Sequence, residues 1–157
     1  ASINPADFAA ATDLLARAET IYLIAKRRAF PLTAHMAYAF GKLGIRYAMI
    51  ASPNGVDAEL AGFATARDAA FAASFSPYSS ESVAQAESLA KRGVPVVAIT
   101  DSAFSPLAVF STCWFEVAES DFSGFRSLSA SMALAMALPV AVAEKRRQLQ
   151  RDGTKMS

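Results

Sequence analysis

The apolar residues of this chain are gathered into short continuous runs, and segments with helical spacing lie between those runs. This alternation constrains the fold more than any other feature. The runs that predict strands lie at 20–25, 46–51, 69–75, 94–100 and 112–117. Runs that are continuous rather than alternating are typical of strands buried on both faces, as in a parallel sheet. The run at 69–75 is the weakest of these, because its alanines would also suit a helix.

The segments around the strands have apolar residues on one helical face. They predict helices at 5–18, 30–43, 57–65, 80–92, 106–110 and 125–150. Pro5 and Pro106 suit the first turn of a helix, and Asp57 is a candidate N-cap. Strands that alternate with helices predict an α/β fold, in which helices cover both faces of a five-stranded parallel sheet.

Length and composition limit the class of protein. The 157 residues fit one domain, which we place at 1–150, followed by a polar tail at 151–157 that we expect to fray. Hydrophobic residues make up 54% and charged residues 18% of the chain, which excludes a disordered protein. No apolar run reaches the roughly 18 residues of a membrane span. We therefore expect no membrane partner.

Charge and cysteine content add two expectations. The net charge is +1, and the only basic clusters lie at 26–28 and 145–147. A nucleic-acid surface needs a larger basic face, so we do not expect this domain to bind DNA by itself. The only cysteine, Cys113, cannot form an internal disulfide. Together with an N-terminus that does not resemble a secretory signal, this predicts a cytoplasmic protein.

The predicted topology places the candidate binding loops at one edge of the sheet. Right-handed crossovers bring all strand-to-helix loops to the same end of a parallel sheet. Ligands of such sheets bind outside the carboxyl ends of the strands. The loops at this edge span 25–30, 52–56, 75–82 and 100–106.

The loop at 75–82 is rich in hydroxyl groups at a predicted helix start. Its candidate ligand-binding residues are Ser76, Tyr78, Ser79, Ser80 and Ser82. Free backbone N–H groups and the positive end of the helix dipole favour an anion there, and hydroxyl groups add donors for its oxygens. The alternative is an ordinary capped helix with Ser79 or Ser80 as N-cap.

A basic triplet directly follows the first predicted strand. Lys26, Arg27 and Arg28 lie at the same edge as the serine-rich loop, and arginine can hold a phosphate or carboxylate with two hydrogen bonds. The alternative is a solvated run of charges. Because the fold brings the two loops together, each supports the interpretation of the other as part of one anion site.

The strand at 94–100 ends in Thr100, Asp101 and Ser102, which we add to the candidate ligand-binding residues. Asp101 either accepts hydrogen bonds from sugar hydroxyls or caps the short helix that follows. His35, the only histidine, lies on the helix after the basic triplet. It is either a structural histidine or a residue that points at the ligand.

The sequence lacks the motifs of several kinds of catalytic and cofactor-binding site. A lone histidine with no Cys/His cluster argues against a metal site. No carboxylate pair, Cys/His pair or Ser/His/Asp order stands out, so we name no catalytic residues. There is no Gly-x-Gly-x-x-Gly and no Walker loop, which disfavours dinucleotide and ATP binding, and we expect no cofactor.

The last predicted helix is lined with small residues. They are Ser127, Ser129, Ala130, Ser131, Ala133, Ala135 and Ala137. Larger apolar residues alternate with them at 132, 134, 136 and 138. Because one small domain cannot easily cover so much apolar helix, we expect a homodimer.

Three stretches resemble a known family. They read Ile21-Tyr-Leu-Ile-Ala-Lys-Arg-Arg-Ala-Phe-Pro31, Ser74-Phe-Ser-Pro-Tyr-Ser-Ser-Glu-Ser82 and Ala98-Ile-Thr-Asp-Ser-Ala-Phe-Ser-Pro-Leu-Ala108. Together they resemble the sugar isomerase (SIS) domain, in the form found as the C-terminal effector domain of RpiR-type bacterial transcriptional regulators. The resemblance covers about residues 5–147.

The resemblance implies a flavodoxin-like three-layer α/β/α sandwich, a dimer, and a phosphosugar held by serine-rich loops. In full-length regulators of this type, an N-terminal helix-turn-helix domain binds DNA. We see no such domain in this chain, so we expect DNA binding only through a separate, missing domain. The chain is then a sensor that binds a small anionic sugar without converting it.

The chain departs from the family pattern in the first loop. Where relatives often read Gly-x-Gly-x-Ser, this chain has Ala25, Arg27 and Ala29, and Pro77 replaces a frequent glycine in the second loop. Isomerising relatives carry a glutamate at the position that matches His35. The alternative function is therefore an aldose–ketose sugar phosphate isomerase with His35 as its base. A third interpretation is a dimerisation module without a ligand.

Overall fold

Five parallel strands form the central sheet of the computed structural model, which describes residues 3–156. The strands are β1 (Ile21–Ile24), β2 (Tyr47–Met49), β3 (Ala69–Ala73), β4 (Val96–Thr100) and β5 (Cys113–Glu116). Their order in the sheet is β2-β1-β3-β4-β5. From β1, the chain adds β2 on one side of the sheet and then β3, β4 and β5 on the other side. The loops after β1 and β3 therefore lie side by side at the carboxyl edge.

Six helices cover the sheet. They are α1 (Pro5–Ala16), α2 (Phe30–Lys42), α3 (Asp57–Gly62), α4 (Ser80–Lys91), α5 (Pro106–Phe110) and α6 (Ser129–Met156). A 3₁₀ turn at Arg27–Ala29 joins β1 to α2. A small antiparallel hairpin, β6 (Asp121–Phe122) and β7 (Phe125–Arg126), lies between β5 and α6.

The two faces of the sheet carry separate cores, as expected for a three-layer sandwich. In β1, Ile21 and Leu23 pack with α1, α2 and α6, whereas Tyr22 and Ile24 pack with α3, α4 and α5. Full burial of one large apolar side chain contributes about 1.5–3 kcal/mol. The predicted α/β/α sandwich with five parallel strands is confirmed.

The alanine-rich β3 is a strand because of its place in the sheet. It pairs with β1 on one side and β4 on the other, and its residues are all buried. Strand preference depends strongly on such context, which here outweighs the helical tendency of alanine. Apart from Phe71, its side chains are those of alanine.

Three of the described helices begin at an N-cap whose side chain accepts a hydrogen bond. Asn4 accepts a hydrogen bond from the Ala6 amide at 2.8 Å, Ser79 from the Ser82 amide at 3.2 Å, and Ser105 from the Leu107 amide at 3.2 Å. The prediction that Asp57 caps α3 is wrong, since the N-cap position of α3 is Val56. The Asp57 carboxylate instead accepts a hydrogen bond from the Ser52 amide at 2.6 Å and pairs with Lys26.

The last helix is shifted along the chain from its predicted place. It starts at Ser129 rather than at 125, because residues 121–126 form the β6–β7 hairpin. It also continues past residue 150 to Met156, so the segment that we expected to fray is helical up to that residue. The segment extends an existing helix instead of starting one, which offsets the weak helix propensities of Asp152, Gly153 and Thr154.

Among residues 3–156, no helix combines the length and the apolar character that a membrane crossing requires.

Candidate functional site

A cavity of about 520 Å³ opens at the carboxyl edge of the sheet, among the loops that follow β1, β3, β4 and β5. We call it the carboxyl-edge cavity. It brings together five of the residues that the sequence predicted: Arg28, Ser76, Tyr78, Asp101 and Ser102. The expectation that separate loops meet at this edge therefore holds for these five.

Asp101 links two of the loops. Its carboxylate accepts hydrogen bonds from the Tyr78 hydroxyl at 2.6 Å and the Ser76 amide at 2.8 Å. It also pairs with Arg126 at 3.4 Å. It does not cap α5, whose N-cap is Ser105. The loop after β3 is thereby tied to the end of β4.

These contacts change the acidity of both partners. Burial by itself would raise the pKa of Asp101, but the hydrogen bonds from Tyr78 and the Ser76 amide and the charge of Arg126 outweigh it. The pKa of Asp101 is consequently below its ordinary value. Burial, followed by the hydrogen bond to Asp101, raises the pKa of the Tyr78 hydroxyl. At neutral pH the carboxylate is ionised and the phenol is protonated.

Arg28 presents a guanidinium group to the carboxyl-edge cavity. Its Nη2 donates to the Ser76 carbonyl at 3.2 Å, and its guanidinium carbon lies 5.1 Å from the centre of the Phe75 ring. The ring holds the planar group by a cation–π interaction. One hydrogen bond uses only part of the donor capacity of an arginine, so Arg28 can still bind an anion.

Lys26 lies at a second, smaller cavity of about 150 Å³, between the 3₁₀ turn and the start of α4. Its Nζ is 3.1 Å from a Glu81 oxygen and 3.4 Å from an Asp57 oxygen. The hydrogen bond with Glu81 is the main cause that raises the pKa of Lys26. Two carboxylates therefore already balance its charge.

Arg27 lines the same small cavity and has an unusual backbone conformation, with a φ of 54°. This is the left-handed region, which residues with a Cβ rarely adopt. Arg27 stands where the family pattern has a glycine. The backbone at this position adopts a left-handed conformation that glycine favours, although the residue here is an arginine.

Among the predicted serines of the second loop, Ser79 has a structural role. Ser79 caps α4, and its own amide donates to Ser74 Oγ at 3.1 Å. Ser82 is buried, and its hydroxyl has no hydrogen-bond partner among the described residues. Ser80 is exposed on the first turn of α4. The capped-helix interpretation therefore accounts for Ser79.

Four of the predicted site residues line neither cavity. They are His35, Ser80, Ser82 and Thr100. Thr100 is buried and donates from its hydroxyl to the Ser74 carbonyl at 2.9 Å, which ties β4 to the end of β3. His35 is half-buried on α2. The remaining predicted residues, Lys26, Arg27 and Ser79, line the small cavity.

The segment between β5 and α6 supplies cavity residues that were not predicted as site residues, and two of them fall in the range expected for the last helix. Glu119, Asp121, Arg126 and Ser127 all line the carboxyl-edge cavity. The Glu119 carboxylate accepts hydrogen bonds from the Ala130 amide at 3.1 Å and the Ser131 amide at 2.9 Å, at the start of α6. The sequence offered one signal for Arg126, which is a charged residue in the segment that follows a strand of a parallel sheet.

Within residues 3–156, the His, Cys, Asp and Glu side chains form no group of three or more that could hold a metal ion.

The sequence matches the SIS domain over residues 14–141. The fold is similar to that of the sugar isomerase domain of the RpiR transcription factor from Sphaerobacter thermophilus. The two are 20% identical, with a TM-score of 0.85, over 97% of this chain and 87% of that chain. No curated protein matches the sequence.

Two further structures of similar fold contain ligands. One is the Vibrio vulnificus NanR protein complexed with ManNAc-6P, which is 23% identical, with a TM-score of 0.80, over 98% of this chain and 60% of that chain. The other is a protein of Escherichia coli CFT073 in complex with A5P, which is 21% identical, with a TM-score of 0.71, over 92% of this chain and 80% of that chain. With the match over residues 14–141, this chain belongs to the SIS domain family.

Proposed function

We propose that this chain is a ligand-sensing effector domain of an RpiR-type regulator, and that it binds a phosphosugar or a related anionic carbohydrate in the carboxyl-edge cavity. The observation that carries the proposal is the composition of the cavity wall. Two guanidinium groups, from Arg28 and Arg126, stand beside the hydroxyl groups of Ser76 and Ser102. Arginine suits phosphate and carboxylate, and hydroxyl groups suit sugar oxygens.

The similar structures support the same class of ligand. NanR was solved with ManNAc-6P, and the Escherichia coli protein was solved with A5P. In the proposed role, a separate N-terminal helix-turn-helix domain outside this chain would bind DNA. Such a regulator would act in the cytoplasm.

The carboxylates of the cavity favour a sensor over an isomerase. An aldose–ketose isomerase needs a base whose pKa lies near the operating pH. The pKa of Asp101 is lowered. The Glu119 carboxylate is held by two amides of α6, and Asp121 accepts a hydrogen bond from the Gly124 amide at 2.9 Å. His35, the base of the alternative hypothesis, lies outside the cavity.

The proposed regulator is a homodimer, and the outer face of α6 is the surface that we assign to the partner. Met136 and Val140 on this face are 52% and 59% exposed. An apolar cavity of about 510 Å³ lies beside it, where α1 and α6 meet. A second subunit would cover this surface, and a ligand could change the geometry of the dimer if it binds two states with different affinity.

The test is a thermal-shift screen combined with a turnover assay. The panel holds sugar phosphates, amino-sugar phosphates, sugar acids and inositols, with sulfate as the control anion. A ligand at 100 times its dissociation constant adds about 2.7 kcal/mol, which is about 5–10 °C for a domain of this size. We expect one class of anionic sugar to raise Tm by this amount, with no conversion and with loss of the effect in Arg28→Ala.

Two other results would replace the proposal. Conversion of a sugar phosphate by the wild type would support the isomerase. A flat panel, in which sulfate is inert as well, would leave only the dimerisation module.

A further inference from the structure

We propose that the anionic group of the ligand is held between Arg28 and Arg126, so that the β6–β7 hairpin helps to select the ligand. This inference rests on the proposed function, and it identifies which of the two basic sites at the carboxyl edge is used.

The start of α4 is the other place where an anion could bind, but two of its amides and the Lys26 ammonium group already have partners. The Ser79 hydroxyl accepts from the Ser82 amide, and the Ser79 amide donates to Ser74 Oγ. Lys26 is paired with Glu81 and Asp57. Glu81, in the first turn of α4, holds the Lys26 ammonium group at 3.1 Å.

The two arginines of the carboxyl-edge cavity have few hydrogen-bond partners. Arg28 donates one hydrogen bond, to the Ser76 carbonyl. Arg126 donates one, to Asp101, at 3.4 Å. Within the described residues, most N–H donors of both guanidinium groups are therefore available to the two or three oxygens of a carboxylate or phosphate.

Arg126 can leave Asp101 at small cost. The Arg126 side chain is 39% exposed, and the pair with Asp101 is longer than the other two contacts of that carboxylate. Partly exposed ion pairs of this kind contribute at most about 1 kcal/mol. If Arg126 turns towards a ligand, Asp101 keeps its hydrogen bonds from Tyr78 and the Ser76 amide.

The rest of the cavity wall indicates a hydroxylated ligand. Ser76, Ser102 and Ser127 supply hydroxyl groups, and Glu119 and Asp121 supply oxygens that can accept from sugar hydroxyls. The ligand class is a polyol or sugar with one terminal anion that fits between two guanidinium groups. Phosphate and carboxylate share this chemistry, and the probes below separate them.

The experiment measures the dissociation constants of ManNAc-6P, glucose 6-phosphate and gluconate by calorimetry. The variants are Arg126→Gln, Arg28→Gln and the matched control Lys26→Gln, which removes a cation at the same edge but at the smaller cavity. For each probe that the wild type binds, we expect Arg126→Gln and Arg28→Gln to weaken binding about tenfold or more. Lys26→Gln is expected to change it less than about threefold.

Two controls separate binding from folding and geometry from charge. The Tm of Arg126→Gln without a probe should match that of the wild type, because a partly exposed ion pair contributes little. Arg126→Lys keeps the positive charge but loses the planar guanidinium group, so its affinity should lie between those of Arg126→Gln and the wild type. The two phosphates and gluconate report which anion the arginine pair prefers.

Binding that Lys26→Gln abolishes and Arg126→Gln leaves unchanged would overturn this inference and keep the proposed function. If the wild type binds neither these three probes nor any carbohydrate of the thermal-shift panel, the proposed function falls and this inference falls with it.

Discussion

At the scale of single residues, Arg27 holds a conformation that its side chain disfavours. Its φ of 54° is left-handed, and this region costs a residue with a Cβ about 1–2 kcal/mol. We predict that Arg27→Gly raises the free energy of unfolding by about 1 kcal/mol, because glycine relieves the clash. Urea denaturation measures the change. Arg27→Ala keeps the Cβ and serves as the control, so equal stability of the two variants would contradict the argument.

Asp101 should contribute stability that depends on pH. A carboxyl group in an unfolded chain has a pKa of about 3.9, and the pKa of Asp101 in the folded protein is lower. Its contribution is fully present above about pH 4 and is lost as the pH falls through the folded-state value. We therefore predict that the stability difference between the wild type and Asp101→Asn shrinks from pH 7 to pH 3. Urea denaturation at both values tests this, and a constant difference would contradict it.

The residues of the site were only partly predictable from the sequence. Arg28, Ser76 and Asp101 follow strands of the sheet, so the rule for parallel sheets was enough to place them at one edge. Glu119 lies in a polar segment without strand or helix periodicity, and Arg126 lies where a helix was predicted, so only the tertiary fold shows that both border the cavity. The same limit applies to Lys26, whose charge is balanced by Asp57 and Glu81 from separate elements.

At the scale of elements, the start of α6 depends on a carboxylate from elsewhere in the chain. The first turn of α6 has no acidic residue of its own, and Glu119 binds the amides of Ala130 and Ser131. We predict that Glu119→Ala lowers the free energy of unfolding by about 1 kcal/mol, the usual cost of losing a cap.

The control for this change is Glu144→Ala on the same helix. Glu144 is exposed, and its one ion pair within the described residues is with Arg147, at 3.8 Å. Its removal should cost no more than about 0.5 kcal/mol in urea denaturation. Equal losses in the two variants would show that Glu119 does not cap α6.

The strands were the most predictable elements, and the segment before α6 was the least. Continuous apolar runs locate the five strands of the sheet, and burial on both faces explains this pattern for β1, β3 and β4. The β6–β7 hairpin consists of two strands of two residues each, which is too short to show a period. The distant cap of α6 also left no local signal, so the start of the helix could not be found from its own sequence.

At the scale of the whole molecule, the proposed homodimer depends on the outer face of α6. We predict that Met136→Glu combined with Val140→Lys converts the dimer into monomers, because charges on an apolar interface must be desolvated. Sedimentation velocity measures the oligomeric state. Val109→Lys is the control, since Val109 is 86% exposed on α5, on the other face of the sheet. A wild type that is already monomeric, or a control that dissociates equally, would contradict the assignment.

In the proposed function, an anionic carbohydrate binds in the carboxyl-edge cavity and is released without chemical conversion. The most direct test is an NMR titration of the ¹⁵N-labelled domain with the carbohydrate that raises Tm most, in which the carbohydrate signals are followed as well. We expect the largest amide shifts at Arg28, Ser76, Asp101 and Arg126, together with carbohydrate signals that stay constant after a day of incubation. Shifts confined to another surface, or the appearance of product signals, would contradict the account.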